Sequence, residues 1–305
     1  MRYVVTGAAG FIGSHLAETL IAAGHDVVAV DCLTEYYDPA LKEENARSFD
    51  LVRLDLSQES LDLVGVDGVF HLAGQPGVRA SFGPDFALYV RHNILATQRV
   101  AAAAAGVARL VFASSSSVYG EAERYPTSED APLRPLSPYG VTKLACEHLL
   151  SAYAAGSGLD WVCLRYFTVF GPRQRPDMAF ARMLTALAQG ETFELYGDGR
   201  QSRGFTYVAD AVAATIAAME RAPAGAVYNV GGGVEATMLQ AIAAAEEVAG
   251  RRLAVRLLPP VPGDVRRTAP DTSRIRRDLG WEPSVSLEEG LRAQWAWASA
   301  RVGAR

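Results

Sequence analysis

The sequence predicts an α/β fold, a doubly wound parallel sheet carrying a smaller α/β lobe at its C-terminal end. Three observations lead there. Short apolar runs with strand character alternate with helical stretches through the first half of the chain. The first of these strands passes directly into Gly7-x-x-Gly10-x-x-Gly13, which opens a helix. The second strand ends in an acid, Asp31. This is the Rossmann-type arrangement. It is expected to occupy residues 1–170, with residues 171–305 forming mainly the C-terminal lobe and some later segments crossing back.

In order, Arg2-Tyr3-Val4-Val5-Thr6 reads as a strand and residues 11–23 as an amphipathic helix ended by Gly24. Residues 25–31 give a second buried strand, and residues 33–42 a polar, aromatic loop. Residues 51–56 and 68–73 are the third and fourth strands. Residues 86–105 form a long helix, whose alanine run at 101–105 reflects helix propensity and close packing. Residues 109–113 are the fifth strand, running into Ser114-Ser115-Ser116-Ser117. A helix bearing Tyr139 follows, then a sixth strand over 160–165. Beyond Gly171 the prolines 172, 176, 259, 260, 262 and 270 and the Gly197-Asp198-Gly199 turn break the chain into short elements.

Bulk properties exclude several classes. At 305 residues the chain has room for about two domains. A net charge of −5 offers no bulk attraction to nucleic acid or to an anionic membrane. Cys32, Cys146 and Cys163 lack paired spacing and read as free thiols in a reducing compartment. The five histidines form no ligand pattern, so no metal is expected. No leader and no long apolar run are visible, so a cytoplasmic location is expected.

The motifs carry the chemistry. Glycines permit a tight turn and close approach of the backbone to a pyrophosphate, and a helix N-terminus supplies free N–H groups. Asp31 is placed to accept hydrogen bonds from an adenosine ribose, and its charge would repel a 2′-phosphate, so the expected cofactor is NAD. Tyr139 and Lys143 are four residues apart and share a helix face. A lysine there can stabilise a phenolate whose pKa is about 10 in water, making a base beside the nicotinamide. The serine run lies at the cofactor end of a central strand, where the hydroxyl of Ser115 or Ser116 could share a proton with Tyr139. After the sixth strand, Thr168 and Arg175 could face a sugar, and a buried guanidinium suits a carboxylate or phosphate. Arg203, Arg266 and Arg267 are candidates for neutralising a diphosphate.

Together, the glycine motif, Asp31, the serines, Tyr139-x-x-x-Lys143 and Gly263-Asp264-Val265…Pro270-Asp271…Leu279-Gly280-Trp281 resemble the extended short-chain dehydrogenase/reductases that modify nucleotide sugars. The resemblance spans nearly the whole chain. Tyr36-Tyr37-Asp38-Pro39-Ala40-Leu41-Lys42, Gln75-Pro76-Gly77-Val78-Arg79 and Thr168-Val169-Phe170-Gly171-Pro172…Arg175-Pro176-Asp177-Met178-Ala179 are similar to the UDP-glucuronic acid 4-epimerases, of the type found in moenomycin biosynthesis. The resemblance implies NAD contacts from Gly7, Gly10, Phe11, Ile12, Gly13, Asp31, Asp55, Leu56, Leu72, Ala73, Asn93, Tyr139, Lys143 and Tyr166. It makes Tyr139 the base for the sugar 4-hydroxyl, Lys143 its partner, and a serine of 115–117 its assistant. Ser116, Ser117, Thr168, Arg175, Arg203 and Arg266 would contact a UDP-sugar, with Arg175 and Thr168 at its C5 carboxylate. A homodimer paired through helices near 86–105 and 138–155 is also implied.

Two departures stand out. Gly204 occupies a position where relatives commonly carry aspartate, and Arg173-Gln174 replaces a common tryptophan-glycine pair. Competing readings are a neutral UDP-hexose 4-epimerase, a 4,6-dehydratase, a decarboxylase and an idle NAD-binding module. Ser116-Ser117 stands where a dehydratase would carry its Asp-Glu acid/base pair, and the decarboxylase glutamate is missing. The Tyr139/Lys143 pair argues against an idle module.

Overall fold

A computed structural model describes residues 1–232 and 234–303. Seven strands form one parallel sheet: β1 (Arg2–Thr6), β2 (Asp26–Asp31), β3 (Leu51–Arg53), β4 (Gly68–His71), β5 (Arg109–Ser115), β6 (Trp161–Tyr166) and β10 (Ala226–Val230). Their order is β3-β2-β1-β4-β5-β6-β10, so the winding direction reverses between β1 and β4. Crossovers pass through helices α1 (Phe11–Ala22), α2 (Pro39–Asn45), α3 (Phe86–Tyr89), α4 (Ala96–Ala104), α5 (Pro138–Ser157) and α7 (Val208–Arg221). Alternate strand residues feed two cores. Tyr3, Val5, Phe70, Val111 and Leu164 pack on one face with Leu16 and Leu20 of α1 and Val212 of α7. Val4, Val69, Leu110, Phe112 and Cys163 pack on the other with Val100 and Ala101 of α4 and Cys146 and Leu150 of α5. Burial on both faces explains why these strands read as continuous apolar runs.

The remaining elements build the second lobe. Strands β7 (Thr168–Phe170), β9 (Ser202–Tyr207), β11 (Val234–Thr237) and β13 (Arg267–Thr268) form a small mixed sheet. Strands β8 (Thr192–Tyr196) and β12 (Ala254–Leu258) pair parallel to one another. Helices α6 (Ala179–Gln189), α8 (Met238–Ala249) and α10 (Leu287–Gly303) enclose a third core around Phe170, Phe180, Phe193 and Phe205. Strand β10 and helix α9 (Ser273–Leu279), although late in sequence, pack against the first domain.

Local chemistry shifts several expected boundaries. The expected loop at 33–42 gives way to α2, begun by Asp38, whose carboxylate accepts from the Ala40 N–H at 2.9 Å, with Pro39 at the first helical position. The third strand stops at Arg53 because Asp55 turns the chain, accepting from the N–H of Ser57 at 3.0 Å. The long helix expected at 86–105 is interrupted by a π-helical stretch over Val90–Leu95. That wider turn carries Asn93, which is buried and hydrogen-bonded across to the neighbouring loop, as π-turns at functional positions often are.

Candidate active site

Where the strand order reverses, a cleft of about 810 Å³ opens between the sheet and the C-terminal lobe. The first turn of the cleft is made by the glycines. Gly7 has φ of 72°, and a Cβ there would lie 2.7 Å from the Ala73 nitrogen. A Cβ on Gly13 would lie 2.1 Å from the Gly7 carbonyl oxygen, so only glycine lets α1 pack onto this turn. Gly10 caps α1 without a side chain, which leaves the N–H groups of Phe11 and Ile12 facing the cleft as an anion-binding end. Asp31, at the tip of β2, is oriented by the N–H of Leu33 at 2.8 Å and of Ala9 at 3.2 Å. These features fit a dinucleotide: a backbone cradle for the pyrophosphate and a fixed carboxylate for the ribose hydroxyls.

Tyr139 and Lys143 lie in the first two turns of α5. Ser137 caps that helix by accepting from the Gly140 N–H at 3.1 Å, and Pro138 follows at the first helical position. The helix start presses on the serine turn, since a Cβ on Gly140 would lie 2.5 Å from the Ser117 carbonyl oxygen. Lys143 is buried, donates to the Ala113 carbonyl at 2.8 Å and lies over the Phe112 ring. Tyr139 borders the cleft, with Tyr89 edge-on to its ring. Ser115 ends β5 and its Oγ donates to the Ser117 Oγ and accepts from the Ser117 N–H, both at 3.1 Å. Ser115, Ser116 and Ser117 all line the cleft.

Leu56, Leu72, Ala73, Tyr166, Thr168, Arg175 and Arg203 also lie on the wall. The Tyr166 hydroxyl is turned to Thr215 on α7 at 2.6 Å, and burial pushes its pKa up. Burial pulls the Arg203 pKa down, opposed by the nearby Asp264 carboxylate. Four expected residues, Asp55, Asn93, Arg266 and Arg267, lie off the wall. Asp55 is occupied by Ser57, Gln58 and Arg91; burial pushes its carboxyl up, but these hydrogen bonds outweigh it and hold it well below the usual range. Asn93 sits behind the wall, accepting from the Gln75 N–H at 2.7 Å and donating to Thr142 on α5 at 2.9 Å. It thereby clamps the loop after β4 to the Tyr139 helix. Arg266 is exposed on the segment entering β13, where its carbonyl accepts from the Ser202 N–H, and Arg267 beside it is exposed and spends its guanidinium on Glu235 at 2.7 and 2.8 Å.

Sequence reasoning passed over Tyr36, Lys42, Arg79, Arg182, Tyr196 and Asp264 as wall residues. Tyr36, Lys42, Arg79 and Asp264 fall within stretches that carry the family resemblance, but nothing in those stretches shows that they face the cleft; that depends on packing, as for Lys42, which is buried on α2 and donates to the Thr34 carbonyl at 2.6 Å. In all, six cationic side chains and four acids line the cleft, a balance suited to an anionic ligand. The departures from the family pattern are also explained. A Cβ at Gly204 would lie 2.7 Å from Pro270 Cδ, so a larger residue has no room there. Arg173 pairs bidentately with Glu18 at 2.9 Å, and Gln174 is buried, bonded to Val169 and Ala181. Both brace the segment that carries Arg175.

A doubly wound sheet with a glycine cradle, a fixed acid and a Tyr/Lys pair at its reversal point is the arrangement of a nicotinamide-dependent enzyme that moves a proton and a hydride at a hydroxyl-bearing carbon. The comparisons narrow this. Residues 3–231 match the NAD dependent epimerase/dehydratase family, and the chain belongs to it. It is an NAD-dependent nucleotide-sugar epimerase. It is 40% identical to the UDP-glucose 4-epimerase of Mycolicibacterium smegmatis, covering 95% of this chain and 96% of that one. The structure of UDP-glucuronic acid 4-epimerase from Bacillus cereus, in complex with UDP-glucuronic acid and NAD, superposes with a TM-score of 0.95 at 40% identity, covering 99% of this chain and 100% of that one. MoeE5 in complex with UDP-glucuronic acid and NAD superposes with a TM-score of 0.89 at 43% identity, again covering 99% and 100%.

Proposed function

We propose that this enzyme epimerises UDP-glucuronic acid at C4, giving UDP-galacturonic acid through a 4-keto sugar. The observation that carries the substrate choice is Arg175, a cation on the same cleft wall as Tyr139, Thr168 and the serine turn. Structures of two relatives, the Bacillus cereus enzyme and MoeE5, contain UDP-glucuronic acid, which supports this reading.

NAD, held by the glycine turn and Asp31, supplies the hydride acceptor and later the donor. The protein's own residues handle protons and orientation. Tyr139 takes the proton of the 4-hydroxyl, with Ser115 or Ser116 bonded to the same oxygen. Lys143, anchored to the Ala113 carbonyl, keeps positive charge beside the phenolate. Once the sugar has turned over, Tyr139 returns the proton from the other face. The intermediate is a β-keto acid, prone to lose carbon dioxide when its carboxylate aligns with the ketone. Thr168 and Arg175 would hold the carboxylate out of that alignment and as an anion.

The test is direct. Purified protein given UDP-glucuronate should form the galacturonate epimer, with UDP-glucose as the control; formation of UDP-galactose alone would reject the carboxylated substrate. Arg175→Ala should weaken glucuronate binding far more than glucose binding. The same reading pairs two copies through α3, the π-helical stretch after it, α4 and α5, where Phe86, Val90, Leu95 and Val141 are exposed. A monomeric mass by light scattering would count against the pairing.

A further inference from the structure

Arg175 is already engaged within its own chain. Its Nε and Nη2 each donate to one oxygen of Asp177 at 3.0 Å, a two-pronged pair that leaves both N–H groups of Nη1 and the second of Nη2 outside it. Tyr36, from the loop after β2, donates to the same Asp177 carboxylate at 3.3 Å. The packing around this trio is close, since a Cβ on Gly77 would lie 2.2 Å from the Tyr36 hydroxyl. Arg175, Asp177 and Tyr36 all line the cleft that Tyr139 borders, and the Arg175 side chain is only 21% exposed. Burial lowers the Arg175 pKa, but Asp177 and then the Tyr36 and Tyr139 phenols outweigh it.

A half-buried cation needs an anion, and the cost of leaving one unpaired is large. We propose that Asp177 is a built-in counter-anion for Arg175 and thereby the residue that sets how strongly the site prefers a carboxylated sugar over a neutral one. With a neutral sugar, Asp177 keeps Arg175 paired, so a hydroxymethyl group at C5 leaves no charge uncompensated. A carboxylated sugar competes with Asp177 for the guanidinium, taking Nη1 or displacing one prong, and meets the like charge of Asp177 as it does so. The acid therefore weakens glucuronate binding and permits glucose binding. For the carboxylated sugar the inference rests on the substrate reading above; for the neutral sugar it stands without it.

Asp177→Asn separates the possibilities. The expected result is a fall of about tenfold in KM for UDP-glucuronate and a rise of similar size for UDP-glucose, with the changes in KM rather than kcat. Asp177→Ser, which also removes the charge but leaves a smaller side chain, should move both constants in the same directions, so a folding defect in one variant does not decide the matter. Thermal transition and bound NAD are measured alongside in each. If the two sugars shift together, or neither shifts, Asp177 is only a brace for Arg175 and the proposal is overturned. If the wild type turns over only the neutral sugar, the substrate reading fails. The rise in KM for UDP-glucose then still supports the role of Asp177, and its absence overturns it.

Discussion

Tyr139 and Lys143 sit one turn apart on α5, yet different neighbours hold them. Lys143 is fixed by a strand carbonyl, whereas Tyr139 is left facing the cleft. The serines differ in the same way. The Ser115 hydroxyl is locked between the N–H and Oγ of Ser117, so it is oriented before any ligand arrives. Ser115→Ala should therefore lower kcat on the order of 10²-fold, while Ser116→Ala costs less than tenfold. Steady-state turnover of the two variants checks this, and equal losses would refute it. Sequence could not choose between these serines, because their register depends on where β5 ends. The expected fifth strand stopped at residue 113, two residues short of the observed end at Ser115.

At the scale of elements, the approach of α5 to the serine turn is the contact on which the geometry depends. Gly140 makes it possible, since an added methyl would meet the Ser117 carbonyl, a backbone atom that cannot swing aside. Gly140→Ala should push the Tyr139 turn away from the serines and reduce kcat by about 10²-fold, with bound NAD retained. Turnover together with cofactor released on denaturation measures both. A variant with wild-type turnover would show that the contact has slack. The π-helical turn works to the same end, since it places Asn93 to bond both the Gln75 loop and Thr142 of α5. Only the family resemblance points to Asn93 as support for the loop beside the site, and nothing in the residues themselves marks either contact. An isolated glycine at a helix start and an asparagine in an alanine-rich helix carry no periodic signal, and each acquires its meaning from a segment distant along the chain.

Across the whole molecule, the buried core contains a histidine that the chemistry does not use. His71 on β4 is fully buried, with its ring nitrogens bonded to Thr6 at 2.8 Å and Thr97 at 3.0 Å. Burial, and then the charge of Lys143, lower its pKa to about 3. Its folded value lies below the unfolded value of about 6.5, so the unfolded chain binds the extra proton first. The stability it contributes is complete above about pH 6.5 and declines as pH falls toward about 3. Urea unfolding at a series of pH values should show this slope, and His71→Gln should flatten it. An unchanged slope would mean that other groups govern the acid limb. The same molecule divides plainly between what is local and what is not. The cofactor half was legible in sequence because its signals are contiguous: a strand, its glycine turn, the helix that follows, and a Tyr/Lys pair on one helix face are set by neighbours a few residues apart. The sugar half was decided by tertiary structure. Tyr36, Gly77, Arg175 and Asp177 come from three separate segments, and Arg266, plausible from its position, ends on the outside. Which charges meet, and which are already paired, follows from how loops close over the packed cores, and no spacing along the chain encodes that.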